Sequence, residues 1–149
     1  MSGTAFNIEI SGFEKINDVF SKLENPDLKP LMDMLGAEGE SQTRRRISEE
    51  KTSPAGEPWV AWSADYAETR HAGHSLLQGE GSLLDSQQYQ VTADDAVEWG
   101  SNLIYAAIQH FGGEEVDINI PARESLGLSA ENREDMYELV VDWAEDLMQ

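Results

Sequence analysis

The stretch that decides the fold is Trp99–Leu128, with the sequence WGSNLIYAAIQHFGGEEVDINIPARESLGL. It combines a strand end, a short helix and an Ile-Pro-Ala-Arg-x-x-Leu-Gly turn. We expect the helix to span Asn102–Phe111 and to end at Gly112 and Gly113, because glycine commonly follows a helix C-terminus. The stretch carries no catalytic constellation. Specific form without chemistry indicates a role in shape and assembly.

The short helix has two interpretations. Tyr105, Ile108 and Phe111 recur at a spacing of three, which is typical of a packed helix face. This face therefore either belongs to the core or contacts a partner. His110, near the helix end, is more consistent with a polar contact or a packed residue than with a general base.

Strand and helix patterns lie on both sides of this stretch. The hydrophobic periodicity and the start and stop signals predict a small α+β fold. The expected elements are a strand at Phe6–Ile10, a helix opened by a capping box at Ser11–Glu14 and ending at Asn25, a helix from about Asp27 to Ile47 or Glu50, a hairpin of Leu83–Val91 and Val97–Trp99 turning at Ala93–Ala96, an extended piece at Ile118–Ile120, and a final helix from Ser129 to about Met148. Gly36 and Gly39 weaken the second helix by about 1 kcal/mol each.

Composition limits the class of protein. The 149 residues suit one domain, 1–149, and 40% hydrophobic residues can form a core. Cysteine is absent, so disulfides are excluded. No apolar run reaches the roughly 18 residues that a membrane span needs, and no signal peptide is evident. We therefore expect a soluble cytoplasmic protein and no membrane partner.

The charge is strongly negative. Ten basic and 29 acidic residues give a net charge of −19. Such a chain repels duplex DNA, because nucleic-acid affinity rests on neutralising phosphates. The charge is consistent with simple solubility, with a partner that has a basic face, with a surface past which DNA slides, or with an acidic interaction protein such as a DNA mimic.

Two groups of residues are candidates for contacts with a subunit or partner. Arg44, Arg45 and Arg46 form the basic cluster, read either as a solvated helix end or as a contact with an acidic neighbour. Trp59 and Trp62 lie in a long irregular loop at about 53–81. These tryptophans either dock on their own core or anchor a partner, since tryptophan is favoured at interface hot spots.

Motifs for catalysis or for binding a metal or cofactor are missing. His71 and His74 are three residues apart but lack a third ligand at metal spacing. No serine stands in a nucleophile elbow, and no glycine loop fits a phosphate. The sequence predicts no enzyme and no cofactor.

Five segments in order resemble the phage virion morphogenesis family, the tail-completion group of Mu-like and related contractile-tailed phages. They are Ser53–Trp59, Gly81–Ser86, Val97–Ser101, Tyr105–Gly113 and Ile120–Ser129, within a resemblance that covers about Arg46–Trp143. The residues of these motifs with a structural role are Gly100, Tyr105, Gly112, Gly113, Pro121, Leu126 and Gly127.

The resemblance implies a neck protein of the virion that is assembled in the host cytoplasm. The implied fold is like that of tail-terminator and head–tail joining proteins, a small mixed, mostly antiparallel sheet flanked by helices. The implied partners are further copies in a sixfold ring, tail terminator or tail tube proteins, and head connector proteins. DNA would pass through the acidic lumen without specific binding. Within the Ile-Pro-Ala-Arg turn we expect Arg123 to form a fixed charge pair, inside the fold or across subunits.

Overall fold

The computed structural model describes residues 4–7, 26–79 and 81–148. The helix expected after Ser11 therefore lies outside the described residues. The strand expected at Phe6–Ile10 is described only in part, within a strand at Thr4–Asn7. The described part is a small α+β fold, as the sequence predicts.

The helices and strands follow one another in a mixed order. The strands are β1 (Thr4–Asn7), β2 (Gln87–Ala93) and β3 (Ala96–Ser101), and the helices are α1 (Lys29–Arg45), α2 (Ala64–Glu68), α3 (Ser82–Asp85), α4 (Ala106–Phe111) and α5 (Ala130–Met148). A π-helical turn, Arg46–Glu50, extends α1, and a 3₁₀ turn covers Glu114–Val116. Within the described residues, no helix is long and apolar enough to cross a membrane.

The sheet is antiparallel, with the order β1-β3-β2. Trp99 pairs with Phe6 on one side and with Tyr89 on the other. Gly100, the next residue of β3, pairs with Ala5 and Gln88. The hairpin expected from the sequence is therefore confirmed, and β3 is the central strand of the sheet.

The start of the hairpin is wrong in the prediction, because Leu83 and Leu84 belong to the helical turn α3 rather than to a strand. The carbonyl oxygen of Leu83 accepts hydrogen bonds from Ser86 Oγ at 2.8 Å and from Gln87 Nε2 at 3.1 Å. Polar side chains that bond nearby backbone compete with strand pairing. The strand therefore begins only at Gln87.

Helix α1 crosses the sheet at unusually close range. A Cβ atom on Gly36 would overlap the ring of Tyr89 and the side chain of Val97, and one on Gly39 would overlap the indole of Trp99. The two glycines that lower helix propensity are thus the positions where the sheet packs onto the helix. Tertiary packing outweighs the propensity cost of about 1 kcal/mol for each glycine.

Helix α5 begins as predicted, at a reciprocal cap. Ser129 Oγ accepts from Asn132 N at 3.0 Å, and Asn132 Oδ1 accepts from Ser129 N at 3.3 Å. Met136 and Val140 are buried with Leu31 and Leu35 of α1 in the main core.

The start of α5 lies beside the end of α1, since Gln42 Nε2 donates to Asn132 O at 3.4 Å. The other ends also meet at the main core, against which Leu28, Leu139 and Trp143 all pack. The two long helices are therefore antiparallel.

Candidate interaction surface

The segment 121–128, here called the strap, is held by a buried cation. Arg46 is 1% exposed, and its Nη1 donates to Ser125 O at 2.6 Å and to Gly127 O at 3.3 Å. Its Nη2 donates to Asn132 Oδ1 at 2.5 Å. Burial lowers the pKa of Arg46 from its ordinary value. One side chain at the end of α1 thus fixes both the strap and the start of α5.

The burial of Arg46 distinguishes it from the other two arginines of the basic cluster. For Arg46 a solvated helix end is wrong, and so is contact with a neighbour, because the side chain is enclosed by its own chain. Arg44 donates to Gln87 O at 2.8 Å and pairs with Glu40 at 3.1 Å, while Arg45 pairs with Glu50 at 3.1 Å. Three consecutive arginines bind three different parts of the same fold, so the sequence alone did not separate their roles.

A buried histidine, His110, also binds the backbone of the strap. It is 5% exposed, and its Nδ1 accepts from Ser125 N at 3.3 Å. A ring nitrogen that accepts must be unprotonated. Burial lowers the pKa of His110, which favours that neutral form, although the charge of Glu124 acts in the opposite direction. The expectation of a packed, polar histidine is confirmed.

The glycines at both ends of this region allow the strap to turn. Gly112 ends α4 as predicted, with φ +82°, a backbone conformation that other residues rarely adopt. A Cβ on Gly113 would overlap Ile118 O. Gly127 has φ +135° and lies against Pro54, and Leu126 beside it is buried in the main core. The motif residues thus shape the turn.

Trp59 belongs to the core. It is 7% exposed, packs in a second core cluster with Ile47, Leu83 and Ala106, and its Nε1 donates to Glu124 O at 3.0 Å. Its use as an anchor for a partner is therefore wrong, and the alternative of docking on its own core holds. Trp59 therefore also binds the backbone of the strap, at Glu124, the residue before the one that donates to His110.

Arg123 forms no charge pair with a carboxylate among the described residues. It is buried, and it donates through Nε to Val60 O at 2.8 Å and through Nη2 to Ala61 O at 3.3 Å. The expected pair inside the fold is thus replaced by bonds to backbone carbonyls. Burial lowers the pKa of Arg123. These bonds tie the strap to the loop that follows Trp59.

The loop at 53–81 is more ordered than the sequence predicts. It contains α2 and an isolated bridge between Thr52 and Pro58. The half-buried Lys51 gathers its far end, because Nζ donates to Ser75 Oγ at 2.8 Å, to Leu76 O at 2.7 Å and to Ile47 O. Burial lowers the pKa of Lys51. Hydrogen bonds therefore hold the loop at 53–81 in place, and this loop is here called the wall.

This wall and the strap enclose an open cleft of about 760 Å³. Its lining includes Trp62, Tyr66 and Arg70 from the loop and Tyr105, Pro121 and Arg123 from the later part of the chain. The rings of Trp62 and Tyr66 meet edge to face at 6.0 Å, and the Arg70 guanidinium lies 4.6 Å from the centroid of the Tyr66 ring. Edge-to-face and cation–π geometries of this kind are favourable.

Sequence reasoning missed Tyr66 and Arg70, which were treated as part of an irregular loop. A signal was present, since Trp62, Tyr66 and Arg70 recur every four residues, the spacing at which side chains meet on one helix face.

The interpretation of the α4 face as part of the core is wrong at the two ends of that face. Tyr105 is 43% exposed and Phe111 is 67% exposed, whereas Ala106 and His110 are the buried residues.

The described residues hold no group of three or more His, Cys, Asp or Glu side chains placed to bind a metal. The cleft instead offers aromatic rings, the guanidinium group of Arg70 and hydrogen-bonding amides such as Gln109. Aromatic residues and arginine are enriched in the centres of protein–protein interfaces. The arrangement is suited to binding a protein surface.

Comparison with known proteins gives one informative match. The sequence matches the family described as the phage virion morphogenesis family over residues 11–145. No curated protein and no solved structure matches the chain. The matched span includes the strap, the wall of the cleft, all of α1 and the part of α5 up to residue 145.

Proposed function

Because this chain belongs to the phage virion morphogenesis family, we propose that it is a structural protein of the phage neck, which completes the tail and joins it to the head connector as one subunit of a ring. The family itself supports the coarser statement that the chain has a structural or assembly role in the virion. The neck position, the ring and the joining of head to tail are the proposal.

One observation carries the proposal. Five side chains with polar groups hold a surface segment and the facing wall in place through hydrogen bonds, and they are Arg46, Lys51, Trp59, His110 and Arg123. A ring closes only if each subunit presents its contact surfaces at a defined rotation. A rigid cleft supplies such a surface, because preorganised side chains need no ordering when the partner binds.

The proposed partners are further copies of the chain, six in the ring, together with tail terminator or tail tube proteins on one face and head connector proteins on the other. The net charge of −19 suits a lumen that passes DNA without binding it. A density map of the assembled ring tests this point. A lumen lined by arginine and lysine would contradict it.

The test of function is negative-stain imaging of particles from a phage that carries a stop codon in this gene. We expect filled heads and complete-length tails that remain separate, and joined virions when the wild-type chain is supplied in trans. Normal joined virions without the protein would overturn the proposal.

A further inference from the structure

The cleft is an exception to the charge of the molecule. The chain has 29 Asp and Glu residues, yet none of the described residues that line the cleft is acidic, and two are arginines. Interfaces fit best when the two surfaces carry complementary potentials. The cleft therefore favours an occupant with carboxylates.

Of the two arginines that line the cleft, Arg70 is the one available to a partner, because Arg123 is buried and bonded to backbone carbonyls. In the described part of the chain, the ion pairs are Lys29–Asp33, Arg44–Glu40 and Arg45–Glu50, all of which involve α1, so Arg70 has no carboxylate partner there. Its guanidinium is held over Tyr66, and its Nε is 3.4 Å from Thr69 Oγ1. A guanidinium that is fixed in place by a ring loses little freedom when it binds a carboxylate.

A complementary surface lies at the opposite end of the molecule. The last turn of α5 carries Glu145 and Asp146 together with Leu147 and Met148, whose side chains are 44% and 54% exposed. Acidic groups beside exposed apolar groups match guanidinium groups beside aromatic rings. This turn is therefore an occupant of the required chemistry.

The positions of the two surfaces follow from the helices. The cleft lies at the C-terminal end of α1, where Leu83 contributes both to its lining and to the second core cluster with Ile47. Helix α5 starts at that same end, beside Gln42, and runs antiparallel to α1 for 19 residues, about 28 Å. Its last turn is thus at the opposite pole from the cleft.

From this arrangement we infer that the cleft receives the last turn of α5, residues 145–148, from a second copy of this chain. Two different, complementary surfaces at opposite poles generate a head-to-tail contact, which produces rings when the rotation closes. The inference rests on the proposed function for its biological setting, because it names the contact by which the ring subunits join.

The experiment uses two charge-reversal variants of the full chain. The first is Arg70→Glu, and the second is Glu145→Arg with Asp146→Arg. Each variant alone would bring like charges together at the contact, so we expect its self-association constant to fall at least about tenfold from the wild-type value. Sedimentation velocity at low and high salt measures the association.

Mixing the two variants provides the decisive result. The acidic cleft of the first variant would then meet the arginine-bearing turn of the second, and the unaltered cleft would meet the unaltered turn, so an alternating assembly regains both contacts. We expect the equimolar mixture to associate as the wild type does. A mixture that remains as weak as the separate variants overturns the inference, as does undiminished association of either variant alone.

Matched controls make the same changes of charge at residues outside both proposed contact surfaces. Arg133→Glu and the double variant Glu131→Arg with Glu134→Arg alter exposed positions in the first turn of α5, which neither line the cleft nor belong to the last turn of that helix. We expect both to associate as the wild type does. Losses equal to those of the cleft variants would show that only net charge acts, and would overturn the inference.

The association experiment and the imaging of mutant particles can fail independently of each other. A wild-type chain that stays monomeric at every concentration overturns the second copy as occupant, whatever the imaging of mutant particles shows. Conversely, joined virions in the absence of the protein remove the neck role, while the exchange of charges still tests the contact itself.

Discussion

The strap and the cleft, which share Arg123, use the same residue types in opposite ways. The strap is closed by an arginine, a tryptophan and a histidine whose polar atoms are bonded inside the chain. The cleft displays an arginine, a tryptophan and two tyrosines at its surface. Trp59 and Trp62 are only three residues apart, yet one is a core residue and the other lines the cleft.

The difference shows that one region of the molecule stabilises the fold, whereas the other is available for contact with a partner. The side chains that close the strap are buried and bonded to it, so they offer little to a partner, although Arg46 Nε is a buried donor without an acceptor among the described residues. Those in the cleft are partly solvated and lose water only when a partner binds. Mutations in the strap should therefore lower the free energy of unfolding, and mutations in the cleft should change association with little effect on stability.

The largest expected effect compares the two tryptophans. Trp59→Ala removes a buried indole and its bond to Glu124 O, so we expect a loss of about 3–5 kcal/mol in the free energy of unfolding. Trp62→Ala removes a partly exposed ring and should cost about 1 kcal/mol or less. Chemical denaturation followed by circular dichroism measures both. Equal losses would show that the two regions do not differ in this way.

The next comparison separates neighbouring arginines. Arg46→Ala removes the donor to Ser125 O and the shorter of the two hydrogen bonds to Asn132 Oδ1, and we expect a cost of about 3 kcal/mol. Arg45→Ala removes only a solvated pair with Glu50, and should change stability by about 0.5 kcal/mol at most. The same denaturation experiment applies, and a mild Arg46 variant would contradict the assignment of Arg46 as the residue that holds the strap.

The smallest expected effect is a pH dependence that arises from the strap. Burial lowers the pKa of His110 in the folded state, so between the folded value and the ordinary value of 6.5 the unfolded chain binds the extra proton. Stability from this residue is complete above pH 6.5 and is lost as the pH falls toward the folded pKa. Denaturation midpoints measured from pH 7.5 downward record the loss.

His110→Asn is the matched variant, because its amide oxygen offers an acceptor without titrating in this range. We expect its midpoint to change less with pH over the same interval. An unchanged slope would assign the pH dependence to other groups. His71→Asn, which alters an exposed histidine of the 53–81 loop, is the control for loss of an imidazole, and should leave the slope as in the wild type.

Much of the fold follows from local patterns in the sequence. The helical patterns of α1 and α5, the Ser129 cap, the turn between β2 and β3 and the glycine end of α4 all act between residues close in the chain, and all are confirmed. The errors lie where distant residues decide. Nothing local distinguishes Arg46 from Arg45, and α4 shows three apolar residues where burial selects Ala106 and His110.

The sequence by itself determined the class of the fold, most of its elements and the resemblance to a family of virion assembly proteins, because periodicity, caps and turn residues act over a few positions. Only the tertiary structure decided which cations and indoles are enclosed and which remain at the surface. That outcome depends on contacts such as those of Arg46 with residues 79 and 86 positions away. Burial is a property of the assembled layers, so no local spacing predicts it.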